Sequence, residues 1–185
     1  MKIGYFYKLI IISLLSLVLA SCGFHLRNKN DLPPQLSQLY IKSDHPYAQF
    51  ESKLKQTLQS LGITLVGEQA EATYTLNILS TNFSYNIPSI STSNQAQSYS
   101  YSYSVSFNII DKNNKVIVPA QAVSAGGNLI LQPNEVLGSN SQATVLEDQL
   151  QTKCVDSLYE ILTSQKTRYL LNKADIHHST KLNKK

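Results

Sequence analysis

The chain has 185 residues, with 16 Lys and Arg against 12 Asp and Glu and a formal net charge of +4, enough for one domain with its own core. No Lys or Arg occurs from Gln56 to Asp111, and between Lys55 and Lys153 the basic residues are Lys112 and Lys115. A nucleic-acid binder needs a dense basic face, so the charge pattern argues against that class.

The first 21 residues read as an export signal. Lys2 and Lys8 form a short positive head, and Leu9 to Ala20 is an uncharged stretch of 12 residues. That is too short to span a bilayer as a helix and suits a signal-peptide core. Leu19-Ala20-Ser21-Cys22 resembles the lipobox of bacterial lipoproteins. The resemblance implies cleavage before Cys22, a diacylglycerol on its sulfur and a third chain on the freed amine, which together make a stable anchor. Gly23 stands where Asp is associated with inner-membrane retention in enteric bacteria, which points to the outer membrane. Cleavage leaves 164 residues with 14 basic and 12 acidic side chains. With Cys22 taken by lipid, Cys154 is the single thiol, so the domain has no internal disulfide and packing must hold it.

Residues 22–35, with Pro33-Pro34, read as an extended tether, and a single domain is expected over 36–165. Leu36 to Ser43 is a first strand, with Leu39 and Ile41 on one face. A helix then starts near Asp44 or His45, with Pro46 in its first turn. Phe50, Leu54, Leu58 and Leu61 recur on one helical face, and Gly62 supplies the stop. Thr73 to Ser80 alternates Tyr74, Leu76 and Ile78 against polar residues. Phe83 to Ala96, with Pro88, reads as a turn or long loop. Ser98 to Ile109 keeps period two: Tyr99, Tyr101, Tyr103, Val105, Phe107 and Ile109 on one face, Ser and Asn on the other. Asp111 to Lys115 is a hairpin turn. Pro119 and Gly126-Gly127 make Val116 to Ile130 an edge strand, a bulged strand or both. A loop with Pro133 and Gly138 leads to a last helix, Ser141 to Leu162, striped by Leu146, Leu150, Cys154, Leu158 and Ile161. Cys154 on that stripe reads as a small core residue. Residues 166–185 turn basic and read as a frayed, disordered tail.

The order β-α-β-β-β-α predicts an α+β fold, with two helices on one face of a mostly antiparallel four-stranded sheet. The other sheet face is then Ser, Thr, Asn and Gln without a basic group. Composition leaves two readings open: a domain that happens to favour Ser and Asn, or one that touches a polar wall where unpaired charges are costly.

For catalysis the sequence offers no constellation. Glu147 and Asp148 are adjacent on a helix and diverge by about 100°. Gly126-Gly127 lacks the strand–glycine–helix context of a phosphate loop. Asp175 with His177-His178 reads as solvated tail, since a metal site needs converging ligands. The expectation is a non-enzyme with no cofactor and no metal.

Cys22-Gly23-Phe24-His25-Leu26-Arg27 resembles the start of the LptE family of lipopolysaccharide-assembly lipoproteins. The resemblance continues through Leu61-Gly62-Ile63, Pro119 early in the last strand, Pro133-Asn134-Glu135-Val136-Leu137, and a helix ending Ser157-Leu158-Tyr159-Glu160-Ile161-Leu162. It implies a non-enzymatic outer-membrane protein that plugs an LptD-type β-barrel, helps it assemble, and helps pass lipopolysaccharide to the outer leaflet. Family members carry basic residues in the loop between the second and third strands and before the last helix. Here Asn82 to Ser93 and the stretch before Ser141 have none. Lipid contact would fall to hydroxyl and amide groups, with Asn86, Ser89, Ser139 and Asn140 as the candidates. An adaptor lipoprotein serving a different barrel or transporter is the alternative. Strand polarity puts both loops at one end of the sheet, opposite the Asp111–Lys115 turn.

Overall fold

The structure, a computed structural model, describes residues 32–86, 97–131 and 136–182, together with Lys8. Cys22, Ser89 and the whole expected export signal apart from Lys8 lie outside the described residues. A 3-10 turn at Pro34–Leu36 leads into β1 (Gln38–Lys42), then α1 (Gln49–Ser60), β2 (Thr64–Leu65), β3 (Tyr74–Asn86), β4 (Gln97–Asp111) and β5 (Val116–Leu131). Two further helices follow, α2 (Val136–Thr163) and α3 (Gln165–Leu182).

The class is α+β, but the element count differs from expectation. The strands make one five-stranded sheet in the order β2-β1-β3-β4-β5. The long pairings, β3 with β4 and β4 with β5, are antiparallel, whereas β1 runs parallel to both β2 and β3. The extra strand, β2, is two residues long, too short to show a period of two. It is held by Thr64 N–H to Ser37 O at 2.8 Å and Val66 N–H to Leu39 O at 3.1 Å.

The third helix replaces the frayed tail expected from residue 166. Arg168 N–H bonds to Ser164 O at 3.1 Å, and Leu171 and Thr167 are buried. Leu171, with Leu170 packed beside it, is too short a stripe to read from sequence, yet it suffices once the sheet supplies the other wall.

Two boundaries also move. The first helix begins at Gln49 rather than near Asp44, because Ala48 N–H closes a turn on His45 O first. The last long helix begins at Val136, not Ser141; a glycine inside a helix costs ~1 kcal/mol relative to alanine, which its remaining turns outweigh at Gly138. Ser139 and Asn140 therefore sit in helix rather than loop.

The core lies between the sheet and the helices. Tyr74, Leu76, Ile78, Val105, Phe107 and Ile109 from the strands meet Phe50, Leu54 and Leu58 of α1 and Leu150, Cys154, Leu158 and Leu162 of α2, all buried. Gly62, at φ 89°, ends α1 in the left-handed region, which glycine enters without steric cost. At the far hairpin, Asp111 Oδ1 accepts from Asn113 N–H at 2.8 Å and Lys115 N–H at 2.9 Å, an Asx-type closure.

β3 continues six residues beyond Ser80, through part of the stretch expected to be loop. The cause is a bulge. Ile78 pairs with Phe107 but Ser80 pairs with Ser106, so Leu79 is an extra residue. Beyond it the inward face passes from Tyr74, Leu76 and Ile78 to Thr81, Phe83 and Tyr85, and the alternation read from sequence loses phase. β5 is both an edge strand and bulged: Phe107 faces Gln121 while Ile109 faces Val118. The extra residue falls at Pro119-Ala120, where proline's missing N–H breaks no interior ladder bond.

Candidate functional site

Beyond the Leu79 bulge the sheet outruns the helix α1. A 12-residue helix covers about 18 Å, whereas the 15-residue β4 extends about 50 Å. The upper part of the sheet is therefore covered by α2 over β4 and β5 and left open along β3. Two differently built faces result.

On the helix side stands an aromatic ladder. Phe50 and Tyr103 meet at 5.8 Å between ring centroids, Phe83 stacks on Tyr101 at 5.5 Å, and Tyr85 tilts against Tyr101 at 5.8 Å and Tyr99 at 6.4 Å. The ladder passes from buried Tyr103 through half-buried Tyr101 and Tyr99 to Tyr85, which is 64% exposed. Cross-strand aromatic pairs of this kind stabilise a sheet. Burial pushes the Tyr101 phenol up, and neighbouring Tyr99 and Tyr85 add to the shift. Beside the ladder, β5 and α2 enclose a cleft of about 430 Å³ lined by Asn128, Leu129, Ser141, Gln142, Val145 and Leu146, among others. The lining named carries no charge. The helix approaches this closely because residue 127 is glycine.

On the opposite side, the four rungs above the bulge carry small hydroxyl, amide or methyl side chains or glycine and no charge, and a last rung pairs Ser98 with exposed Ile130. Ser80, Ser106 and Ala122 form one row; Asn82, Ser104 and Ser124 the next; then Ser84, Ser102 and Gly126; then Asn86, Ser100 and Asn128. The rows are tied laterally. Ser84 Oγ and Ser102 Oγ lie 2.8 Å apart, and Ser100 Oγ donates to Asn128 Oδ1 at 3.0 Å. These four rows present short hydroxyls and amides without charge.

Of the candidates read from sequence, Asn86 closes β3, exposed, in the same row as Ser100. Ser139 and Asn140 are in the first turns of α2. The connections 87–96 and 132–135 leave the sheet at one end, since Asn86 pairs with Ser100 and Gln97 with Leu131, opposite the Asp111–Lys115 turn. The aromatic ladder was missed as a site: period two marked Tyr99 and Tyr101 as inward, but that the sheet there outruns α1 follows from the lengths of the two elements. Cys154 is a core residue, its Sγ 3.4 Å from Tyr103 O. Burial raises its thiol pKa, partly offset by the Ala125 backbone.

At the bulge itself Ser43 Oγ donates to Glu51 Oε1 at 2.7 Å, beside a smaller cavity of about 220 Å³ that Leu79, Ser80 and Thr81 help to line. Among the described residues no group of three His, Cys, Asp or Glu converges as a metal site, and no helix is long and apolar enough to cross a membrane. What the upper sheet offers chemically is contact: hydrogen bonds from one face, stacking and apolar cover from the other.

The family model described as LptE, lipopolysaccharide-assembly, matches residues 36–161. The LPS-assembly lipoprotein LptE of Yersinia pestis (strain Pestoides F) is 25% identical over 150 residues, covering 80% of this chain and 72% of that protein. The protein of the same name from Yersinia enterocolitica is 33% identical over 60 residues, 32% of this chain and 29% of that one. Among solved structures, a minor lipoprotein from Acinetobacter baumannii superposes with a TM-score of 0.61 at 16% identity, covering 71% of this chain and 93% of that one. The rare lipoprotein B from Shewanella oneidensis gives 0.61 at 13% identity, with 71% and 98% covered. At these identities the two structures speak for the fold.

Proposed function

This chain belongs to the LptE lipopolysaccharide-assembly family, and from that premise we propose that it is an outer-membrane lipoprotein, anchored through Cys22, that seats inside an LptD-type β-barrel and assists lipopolysaccharide on its way to the outer leaflet. The family match supports a role in lipopolysaccharide assembly. The observation that carries the finer reading is the charge-free outer face, Ser80 to Asn86 across to Ala122 to Asn128.

A free domain gains solubility from charges on such a face. A domain enclosed by another protein loses by them, because a desolvated charge without a partner costs several kcal/mol. Short hydroxyls and amides can instead exchange hydrogen bonds with a polar wall. The interior of a large membrane barrel is polar, so the face suits a lumen.

Lipid handling falls to the end where 87–96 and 132–135 leave the sheet. Asn86 closes β3 there and Ser139 and Asn140 lie in the first turns of α2, and in sequence Ser89 belongs to the first connection, without a Lys or Arg among them. Their donors bind phosphate less strongly than a guanidinium does, and the aromatic ladder beside them supplies apolar contact. The role is one of contact and positioning, with no reaction and no cofactor.

Affinity purification of the membrane-anchored protein in mild detergent tests the proposal. An LptD-type barrel should co-purify. Recovery of a different barrel or transporter instead would favour an adaptor role elsewhere in the envelope, and recovery of no membrane protein would overturn both.

A further inference from the structure

The family match ends at residue 161 and α3 begins at Gln165, so the last helix stands outside the segment the family accounts for. Its inward side is settled by Thr167 and Leu171, both buried, and by Tyr74, whose hydroxyl donates to Asp175 Oδ1 at 2.6 Å. Its outward side is unlike an ordinary solvated face. Tyr169 is 64% exposed and Ile176 67% exposed; seven residues apart, they share one face of a helix. Lys166 and Lys173, both exposed, fall on the same stripe at steps of three and four. Asp175 is the one acid between Gln165 and Leu182, and it is turned toward Tyr74.

A second observation concerns where the chain enters. Gln35 Nε2 donates to Asn172 Oδ1 at 2.7 Å, so the N-terminal segment meets the domain on α3. Cys22 lies thirteen residues before Gln35, and thirteen residues reach at most about 43–47 Å. A lipid on Cys22 therefore keeps α3 within that distance of the bilayer it occupies.

We propose that the stripe Lys166, Tyr169, Lys173 and Ile176 lies on the anionic phospholipid headgroups of the leaflet that holds the Cys22 lipid. This rests on the lipid anchor of the preceding reading. Lysines interleaved with an exposed tyrosine and isoleucine present positive charge and apolar surface to one plane, as a headgroup layer requires. The ammonium groups meet lipid phosphates, and the rings and methyls enter the boundary below them. The helix is a second membrane contact that holds the domain in one orientation while the acyl chains hold it in place.

The test uses the full mature lipoprotein carrying Ile176→Cys, labelled with an environment-sensitive fluorophore. Cys154 is fully buried and does not compete for the label. Vesicles of phosphatidylcholine alone are compared with vesicles containing phosphatidylglycerol. The protein should float with both, through its anchor. The probe should shift to the blue and brighten roughly twofold in the anionic vesicles alone. Salt at about 1 M, where screening length falls to ~3 Å, should reverse the shift, as should Lys166→Glu with Lys173→Glu. Flotation without a spectral difference between the two vesicles overturns the proposal and leaves the anchor standing. Failure to float on phosphatidylcholine removes the anchor and the proposal with it. An equal shift from a probe at Ser124→Cys would also overturn it.

Discussion

Gly127 and Leu146 are matched: a Cβ built on Gly127 would stand 2.8 Å from Leu146 Cδ1 and 3.6 Å from Leu150 Cδ2. The contact sets how closely α2 rides on the edge strand, and so the width of the cleft between them. Gly127→Ala meets the far end of a leucine that can turn, and the expected loss is about 1 kcal/mol. Gly127→Val cannot be relieved that way and should cost ~2–3 kcal/mol. Denaturant melts check both. Adding Leu146→Ala should recover part of the valine loss, and simple additivity of the two changes would mean the residues are not in contact.

Tyr103 makes stability depend on alkaline pH. Burial pushes its phenol up to about 12, with the Thr81 hydrogen bond acting the other way and Glu51 and Glu147 adding to the rise. A tyrosine in the unfolded chain ionises near pH ~10. Folding thus favours the neutral ring, and its contribution is complete below about pH 10 and lost as pH rises toward about 12. The expected loss is on the order of 2 kcal/mol. Burial raises Tyr74 in the same direction, so Tyr103→Phe should flatten the slope without abolishing it. An unchanged slope in Tyr103→Phe would contradict this assignment.

Cys154 reports global opening. It is fully buried, in contact with the Tyr103 carbonyl. In a Cys22→Ser chain, a thiol reagent at mildly alkaline pH should find no reactive group in the native state and one in denaturant. Labelling should track the unfolded fraction across a denaturant series. Rapid labelling under native conditions would mean that α2 lifts from the sheet locally.

Leu54 and Leu150, both fully buried, sit at the centres of α1 and α2. Leu54→Asp or Leu150→Asp places an unpaired charge in the core, which costs several kcal/mol against a total stability of about 5–15 kcal/mol. Loss of the cooperative melt is expected for each. A normal melt in both would remove the case for the two helices as walls of the core.

The parts of this fold that were legible in the sequence are those where one physical period runs unbroken. Phe50, Leu54 and Leu58 sit on one stripe, and Tyr103 to Ile109 on one strand face. Leu79 broke the pattern: a single inserted residue reverses which neighbours point inward, so a strand through Asn86 read as a loop. β2 is too short to carry a period, and α3 buries too little apolar surface to announce itself. Polarity in the strands placed the two connections at one end correctly, because it depends on chain direction rather than on side chains. The open aromatic ladder was not legible, since it follows from the unequal lengths of α1 and β4, a relation between elements far apart in the chain.

The central claim is that the charge-free outer face meets the wall of a barrel. A photo-activated cross-linking residue at Ser102, in the middle of that face and exposed, tests it in living cells. One principal adduct is expected, of the size of the chain plus a large outer-membrane β-barrel. Absence of an adduct at Ser102 in protein that fractionates with the outer membrane, or adducts confined to soluble periplasmic proteins, would contradict it.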